Sequence, residues 1–298
     1  MTAVIDPAGS ATAFAAQDGS ASALKIVAHR ALTSVTVLVS ALIGLGLIWI
    51  ALFRVFDVNP LVGKTPANVW EYLFARTPSA RGIRPQSLTA EAARSELWGA
   101  LGTTLLDAAI GFCTGLTIAL VIAALFVLVP PVEFAFMPIA MLLRSVPLVA
   151  MAPVLLMMFS GKAAIAAIGA IVMLFPALVN IVIGLRSASP QSLDVVTVYG
   201  GSDRDALFKV RIPSALPHFF AAVRISVPGA VVGAMLAEWL SGNEGFGGLL
   251  NRYQGANKTG VWAIVVCSVT ISIVLYEVAT IIESAVLAQW GPDAGTQR

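Results

Sequence analysis

Residues 163–185 read AAIAAIGAIVMLFPALVNIVIGL and contain no charged side chain. At a rise of about 1.5 Å per residue, a helix of this length crosses a bilayer hydrocarbon core of about 30 Å. An apolar segment of a cleavable signal peptide is shorter, at about 7–15 residues. The sequence contains five further apolar runs, at residues 31–53, 108–129, 134–160, 219–240 and 261–282. We therefore predict an all-α polytopic membrane protein with six transmembrane helices.

The composition of the whole chain agrees with a membrane protein. Of its 298 residues, 58% are hydrophobic and 11% are charged, and the mean hydropathy is +0.89. A soluble domain carries about 25% charged residues, so the composition excludes a soluble enzyme, a disordered chain and a nucleic-acid-binding module. Cys113 and Cys267 lie in apolar runs without the spacing of a metal site. We expect no metal and no cofactor in this chain.

The polar parts of the chain define the expected domains. Residues 1–30 are rich in Ala, Ser, Gly and Thr, a composition that cannot form a core, and are predicted to be a disordered tail. Residues 31–290 form the predicted transmembrane domain, and residues 291–298 form a C-terminal tail. An even number of spans places both termini on one side of the membrane. Lys and Arg are distributed almost evenly between the two sides, so the positive-inside rule does not orient the chain.

The connection between the fourth and fifth spans, residues 186–218, has the pattern of two short helices. Ser189 is suited to cap the first helix and is followed by a proline at the first helical position. Gly200 and Gly201 supply a turn, the next serine caps a second helix, and Pro213 is predicted to end it. Each helix has an apolar side. Such a loop either packs on the spans of its own chain or is a surface on which another protein docks.

This loop resembles the EAA motif of ABC importer permeases, in which an acidic residue and two alanines are followed by x3-G-x9-I-x-L-P. The matching residues are Asp194-Val195-Val196, Gly200, Val210, Ile212 and Pro213, with Asp in place of Glu and Val in place of both alanines. The resemblance extends over about residues 60–290. Flanking segments look like the branch of this family that carries nitrate, taurine, aliphatic sulfonates, bicarbonate and some pyrimidine or vitamin precursors. These segments are residues 143–147, 216–217, 223–225, 237–238 and 245–249.

The resemblance implies a type I ABC importer permease fold in the cell membrane. It places cytoplasmic coupling helices between spans 4 and 5 and both termini in the cytoplasm. The implied partners are two ABC ATPase subunits, a second permease copy or homologue, an extracytoplasmic solute-binding protein and the lipid bilayer, with no nucleic acid. The residues implied to couple to the ATPase are Asp194, Val196, Tyr199, Gly200, Gly201, Asp205, Phe208, Val210, Ile212 and Pro213.

The sequence offers no motif for ATP hydrolysis. Gly63-Lys64-Thr65 imitates the end of a phosphate-binding loop, but Val58 stands where that motif requires its first glycine. Gly161-Lys162 is followed by alanine instead of serine or threonine. We therefore expect that the chain is not an enzyme and that ATP and Mg²⁺ bind to the partner ATPase.

Four residues in or near the spans are candidates for the translocation path. Ionisable side chains within spans are rare, which singles out Arg144 and Glu238. Pro147 and Asn180 mark places where a helix can break or bend beside a cavity. Arg144 either faces an anionic substrate, or extends its charged end to the membrane interface, or pairs with a neighbouring carboxylate that holds the bundle together. Glu238 either contacts substrate or makes a structural hydrogen bond, and Asp107 is predicted to be solvated or to cap the second span.

An arginine in the path favours a small anion such as a sulfonate, taurine, nitrate or bicarbonate, delivered by the binding protein. One alternative is the same machinery for a pyrimidine or vitamin precursor. Two others are an ion-coupled secondary transporter and a membrane scaffold or receptor that transports nothing. The centres of the predicted spans contain no carboxylate for ion coupling, which argues against the secondary transporter.

Overall fold

The computed structural model describes residues 33, 36, 39–74, 90–242 and 244–290 of the chain. These residues form helices joined by turns, and this described part contains no strand. The predicted tails, residues 1–30 and 291–298, lie outside the described residues. The helices are α1 (Val39–Val55), α2 (Pro66–Phe74), α3 (Ala90–Leu128), α4 (Pro130–Ser145), α5 (Leu148–Met158), α6 (Lys162–Arg186), α7 (Pro190–Val198), α8 (Asp203–Ala206), α9 (Ile212–Ser241), α10 (Phe246–Ala256) and α11 (Lys258–Trp290).

Within the described residues, four helices are long and apolar enough to cross a bilayer. The first predicted span, residues 31–53, begins outside the described residues, and its described part is the shorter apolar helix α1. The described part of the chain is therefore all-helical, with several helices long and apolar enough to span a membrane. The four long helices are Arg94–Leu128 in α3, Lys162–Arg186, the continuous helix Asp203–Ser241, and Lys258–Ala288 in α11.

The third predicted span, residues 134–160, consists of two helices. α4 and α5 meet at Val146 and Pro147, and both are shorter than a span. Pro147 occupies the N-cap of α5, with φ −58° and ψ 123°. Proline disfavours helical geometry in the residue before it, which ends α4, and its fixed φ suits the start of the next helix. The predicted run thus contains two helices, with the break at Pro147, one of the places where the sequence predicts a break.

α3 begins well before the predicted second span, at Ala90 instead of residue 108. Its first turns contain charged side chains, which exclude these residues from a span but not from a helix that extends beyond the hydrocarbon region. Asp107 therefore lies in the middle of a helix. Its side chain is 3% exposed and its Oδ1 lies 3.8 Å from the Lys162 Nζ. The prediction that Asp107 is solvated or caps a span is wrong, because α3 begins at Ala90 and Asp107 lies well inside it.

The core of the bundle is formed by α3, α6 and α9, which approach one another at glycines. A Cβ atom added at Gly111 of α3 would lie 3.1 Å from the Gly169 Cα in α6. A Cβ atom added at Gly233 of α9 would lie 3.0 Å from the same Cα. Small residues allow helix backbones to pack this closely in membranes. The three helices form a close-packed frame that positions the segments at its two ends.

Candidate functional site

The inter-helix segment, residues 187–211, joins α6 to α9 at one end of the bundle. Ser189 caps α7, and its Oγ accepts a hydrogen bond from the N–H three residues later at 3.2 Å. α8 begins with a capping box, in which the Asp205 N–H donates to the Ser202 Oγ at 3.3 Å and the Ser202 N–H donates to the Asp205 Oδ2 at 3.0 Å. Both predicted helix starts are present, and a side chain fixes each of them.

The turn between α7 and α8 requires glycine for two different reasons. Gly200 has a φ of +75°, a conformation that strains residues with a side chain. A Cβ atom at Gly201 would lie 2.5 Å from the Val196 Cγ1 and 2.9 Å from the Val196 carbonyl oxygen. Backbone conformation thus demands glycine at the first position, and lack of space demands it at the second.

The second helix does not end at Pro213, so that prediction is wrong. A π-helical turn, Leu207–Arg211, follows α8 and runs directly into α9, which makes Asp203–Ser241 one continuous helix. Proline lacks the N–H that would donate to the carbonyl four residues earlier, and the wider π-helical turn lies at this place in the helix. Pro213 is the second residue of α9 and stands directly after the π-helical turn.

Large apolar side chains of the inter-helix segment project outward. Val198 is 83% exposed, Tyr199 87% and Phe208 67%. α7, which the structure describes in full, has no buried residue and so is not packed into the spans of its own chain. Grouped exposure of large apolar side chains is typical of an interaction surface. Of the other predicted coupling residues, Asp194, Gly200, Ile212 and Pro213 are exposed, and Val196, Gly201, Asp205 and Val210 are half-buried.

The base of the inter-helix segment is tied to the core. The Arg211 guanidinium donates to the Leu185 carbonyl at 3.2 Å. The Ser187 hydroxyl lies 3.4 Å from the Ser214 carbonyl oxygen, and Leu207 is buried in the same apolar cluster as Leu185. α7 therefore stands out from the bundle, while the π-helical turn is fixed to the end of α6.

The structure places the candidate path residues in different parts of the bundle. The backbone of Arg144 lies in the last turn of α4, and its side chain lies outside what the structure describes. Pro147 precedes α5. The Asn180 amide donates to the Pro176 carbonyl at 2.8 Å, within the half of α6 that leads to the inter-helix segment. Glu238 lies at the far end, which is the end of the bundle opposite that segment.

Glu238 is fully buried between α3, α9 and α10. Its Oε2 accepts hydrogen bonds from the Thr104 hydroxyl and from the Gly247 N–H, both at 2.9 Å. The Thr104 oxygen accepts a further hydrogen bond from the Phe246 N–H at 2.8 Å. Both amides belong to the first turn of α10, so a carboxylate and a hydroxyl from other helices cap this helix. The sequence left open whether Glu238 contacts substrate or makes a structural hydrogen bond. The contacts described here are structural hydrogen bonds.

Sequence reasoning missed α10, although its buried residues follow a helical pattern. Phe246, Leu249 and Tyr253 are buried at spacings of three and four residues, the signal that would have identified a short helix. The Tyr253 hydroxyl donates to the Glu96 carboxylate at 2.8 Å, and the Arg252 guanidinium contacts the same carboxylate at 3.0 Å. The Tyr253 hydroxyl is protonated at neutral pH, and burial raises its pKa further. α10 is thus attached to α3 as well as to α9.

A bundle of long apolar helices with exposed apolar side chains on a segment at one end defines a multi-pass helical membrane protein. Residues 115–287 match the sequence profile of the family described as binding-protein-dependent transport system inner membrane component, and the chain belongs to this family. It is an ABC importer permease, a transport component that is not itself catalytic. The resemblance noted from the sequence is confirmed, and the secondary transporter and the scaffold are set aside.

Named relatives agree with the family but differ in what they carry. A probable ABC transporter permease protein of Haemophilus influenzae is 29% identical over 76% of this chain and 89% of the relative. A formylaminopyrimidine transport permease protein of Halalkalibacterium halodurans is 31% identical over 49% of this chain and 59% of the relative. A putative aliphatic sulfonates transport permease protein of Bacillus subtilis is 28% identical over 55% of this chain and 60% of the relative. Riboflavin and nitrate permeases match as well.

Proposed function

We propose that this chain forms the translocation path of an ATP-driven importer and that an ABC ATPase docks on its inter-helix segment. The observation that carries the proposal is the exposure of Val198, Tyr199 and Phe208 on a segment whose base is tied to the core. A docked partner buries these side chains, and full burial of one large apolar side chain contributes about 1.5–3 kcal/mol. ATP and Mg²⁺ bind to the ATPase, and this chain supplies the contact surface.

Different residues of the inter-helix segment have different roles in coupling to the ATPase. Asp205, Gly200 and Gly201 fix the shape of the surface through the capping box and the turn. Tyr199 and Phe208 are the side chains that enter a groove of the ATPase, as short helices do in helix-in-groove recognition. The remaining proposed coupling residues, Asp194, Val196, Val210, Ile212 and Pro213, complete the surface or connect it to α9.

Docking by an ATPase determines the proposed orientation. Because ATP is a cytoplasmic substrate, the inter-helix segment faces the cytoplasm, and six crossings place both termini there as well. The complex contains two ATPase subunits, one on each of two permease subunits, which are copies of this chain or one copy and a homologue. The far end then faces an extracytoplasmic solute-binding protein, a partner that the family description supports.

The proposed substrate is a small anion, such as a sulfonate, taurine, nitrate or bicarbonate. Arg144 supports this proposal because it lies in the last turn of α4, directly before the non-helical backbone at Val146 and Pro147. Irregular backbone at membrane depth is tolerated where it lines a cavity, and a guanidinium binds oxyanions with two hydrogen bonds. The sulfonate permease among the relatives agrees. Pro147 and Asn180 belong to the same proposed path.

A pyrimidine or vitamin precursor is the second candidate substrate. The formylaminopyrimidine permease among the relatives favours it, with 31% identity over about half of this chain. A heterocycle of this kind presents hydrogen-bonding edges instead of a full negative charge. Replacing Arg144 then has a smaller effect on transport than it has for an anion.

Co-purification and transport test the proposed function together. The full-length chain is expressed with and without its ATPase, and the complex is reconstituted in vesicles with the binding protein. We expect the ATPase to co-purify with the chain and to stabilise it, and uptake to require ATP. A panel of sulfonates, nitrate, bicarbonate and pyrimidine precursors, screened on the binding protein, identifies the substrate. A stable, ATPase-free chain that transports solute in liposomes contradicts the proposal.

A further inference from the structure

We infer that Glu238 and Thr104 are positioning residues that together join α10 to α9 and α3, so that α10 follows movements that begin where the ATPase docks. The inference rests on the proposed function, because it requires an ATPase at the inter-helix segment. If the inference holds, the far end of the bundle responds to the nucleotide state of the ATPase, which binds at the opposite end. Four structural observations support it.

The first observation is that side chains of other helices hold the N-terminus of α10. The N-cap residue of α10 is Gly245, which has no side chain to accept hydrogen bonds from the first amides. The Phe246 N–H donates instead to the Thr104 hydroxyl, and the Gly247 N–H donates to the Glu238 carboxylate. Since Thr104 belongs to α3 and Glu238 to α9, both spans are attached to α10 at one point.

The second observation is that the backbone closes tightly around the carboxylate. Gly245 has a φ of +108°, and a Cβ atom there would lie 2.4 Å from the Glu238 Cδ. A Cβ atom at Gly247 would lie 2.1 Å from the Met235 carbonyl oxygen. With this little space between the two segments, a shift of α9 moves the first turn of α10 as well.

The third observation concerns the chemistry of the joint. Glu238 is fully buried, and its Oε1 has no hydrogen-bond partner among the residues that the structure describes. Burial of a partly satisfied carboxyl group is unfavourable, but an apolar side chain in its place would leave the buried Gly247 N–H without its acceptor. The carboxylate is useful because its hydrogen bonds fix the position of α10 relative to α9 and α3.

The fourth observation is that one helix connects the joint to the inter-helix segment. Residues 203–241 are continuous, and at about 1.5 Å per residue this helix is roughly 58 Å long. α10 has a second attachment to α3 through the contacts of Arg252 and Tyr253 with Glu96. α10 therefore bridges α9 and α3, and a relative movement of these two spans is transmitted to its first turn.

The test compares variants of two neighbouring threonines. Thr104→Val removes the hydroxyl that links Glu238 to the Phe246 N–H, and Thr104→Ser restores it. Thr103→Val is the matched control, because the Thr103 hydroxyl donates within its own helix to the Gly99 carbonyl. Each full-length chain is purified in complex with its ATPase. Hydrogen–deuterium exchange of residues 245–256 is measured without nucleotide and after trapping with ATP and orthovanadate.

In the wild-type, Thr103→Val and Thr104→Ser complexes, we expect trapping to change the exchange rate of the first turn of α10. In Thr104→Val, we expect exchange there to be about tenfold faster, as for the loss of one hydrogen bond, and to be the same with and without trapping. A Thr104→Val complex that responds like the wild type overturns the inference. So does a wild-type complex in which α10 does not respond.

Two controls keep the result decisive. If Thr104→Val does not assemble with the ATPase, Thr104→Cys replaces it, because a thiol is a weaker donor of similar size. A reduced response in Thr104→Cys supports the inference, and an unchanged response overturns it. Failure of the proposed function is recognised earlier, since a wild-type chain that binds no ATPase is identified at purification, before exchange is measured.

Discussion

The Arg211 guanidinium donates to the backbone carbonyl of Leu185 at 3.2 Å and ties the π-helical turn to the C-terminal end of α6. Arg211→Met is expected to leave ATPase binding intact but to reduce the solute transported per ATP hydrolysed. The reason is that the docked segment then moves without moving α6. The expected loss of stability is about 1 kcal/mol, because the bond is only partly buried.

A second arginine of the same segment provides the control for Arg211. Arg204 is exposed on α8, and Arg204→Met removes the same charge at a distance of seven residues. Uptake and ATP hydrolysis are measured together in vesicles that contain the complete complex. Equal losses in both variants would show that the charge of the segment, and not the bond to Leu185, is what transport requires.

The turn at Gly200 is predicted to be essential for docking. Gly200→Val places a β-branched residue at a φ of +75°, which costs about 1–3 kcal/mol of local strain or reorients α7 and α8. An added Cβ has open space around it, so the effect arises from the backbone and not from a clash. We expect membrane insertion to survive and ATPase binding in a pull-down to fail. Gly200→Asn is the control, because asparagine tolerates this conformation, and it should bind normally.

The close packing of α10 on α9 predicts a large difference between two glycines of the same helix. A methyl group at Gly247 would lie 2.1 Å from the Met235 carbonyl oxygen, whereas one at Gly255 would meet nothing within 4 Å. Gly247→Ala should destabilise the chain by about 1–3 kcal/mol, the usual effect of forcing extra atoms into a packed site. Gly255→Ala should be neutral or slightly stabilising. Thermal unfolding in detergent that gives the same Tm for both variants would disprove the packing.

Arg144 is predicted to act on the substrate. Arg144→Ala should lower uptake while complex assembly and basal ATP hydrolysis remain, and Arg144→Lys should recover part of the uptake by restoring the charge without the planar fork. Transport assays are compared with the yield of assembled complex. If Arg144→Ala fails to assemble, the arginine holds the bundle together. Loss of one partner of a buried ion pair, with a cost of about 3–5 kcal/mol, is then the cause.

The apolar parts of the four long helices and the local turns could be predicted because their causes lie within a few residues. The apolar run at residues 163–185 differs from α6 by one residue at each end, since composition alone defines where a helix can cross a membrane. Ser189 and the Gly200–Gly201 turn act on their immediate neighbours, so their roles were also visible in the sequence. The helix break at Pro147 follows from the covalent structure of proline.

The hydrogen bonds and buried residues at the far end could not be predicted, because they join parts of the chain that are distant in sequence. Glu238 and Thr104 are 134 positions apart, and only the packing of α3 against α9 brings them together. The burial of Asp107 depends on α3 beginning outside the membrane, where hydropathy gives no signal. Pro213 did not end its helix because a π-helical turn precedes it, and no residue pattern in this sequence marks that turn.

The central claim is that the ATPase docks on the inter-helix segment. The most direct test is the affinity of the purified ATPase for this chain in lipid nanodiscs, compared between the wild type and the variants Tyr199→Ser and Phe134→Ser. Both aromatic side chains are 87% exposed, but Tyr199 lies in the inter-helix segment and Phe134 lies in α4. We predict that Tyr199→Ser weakens binding about 30-fold, equivalent to about 2 kcal/mol for a central interface residue, and that Phe134→Ser binds like the wild type. Unchanged binding of Tyr199→Ser, or an equal loss in both variants, would contradict docking of the ATPase on this segment.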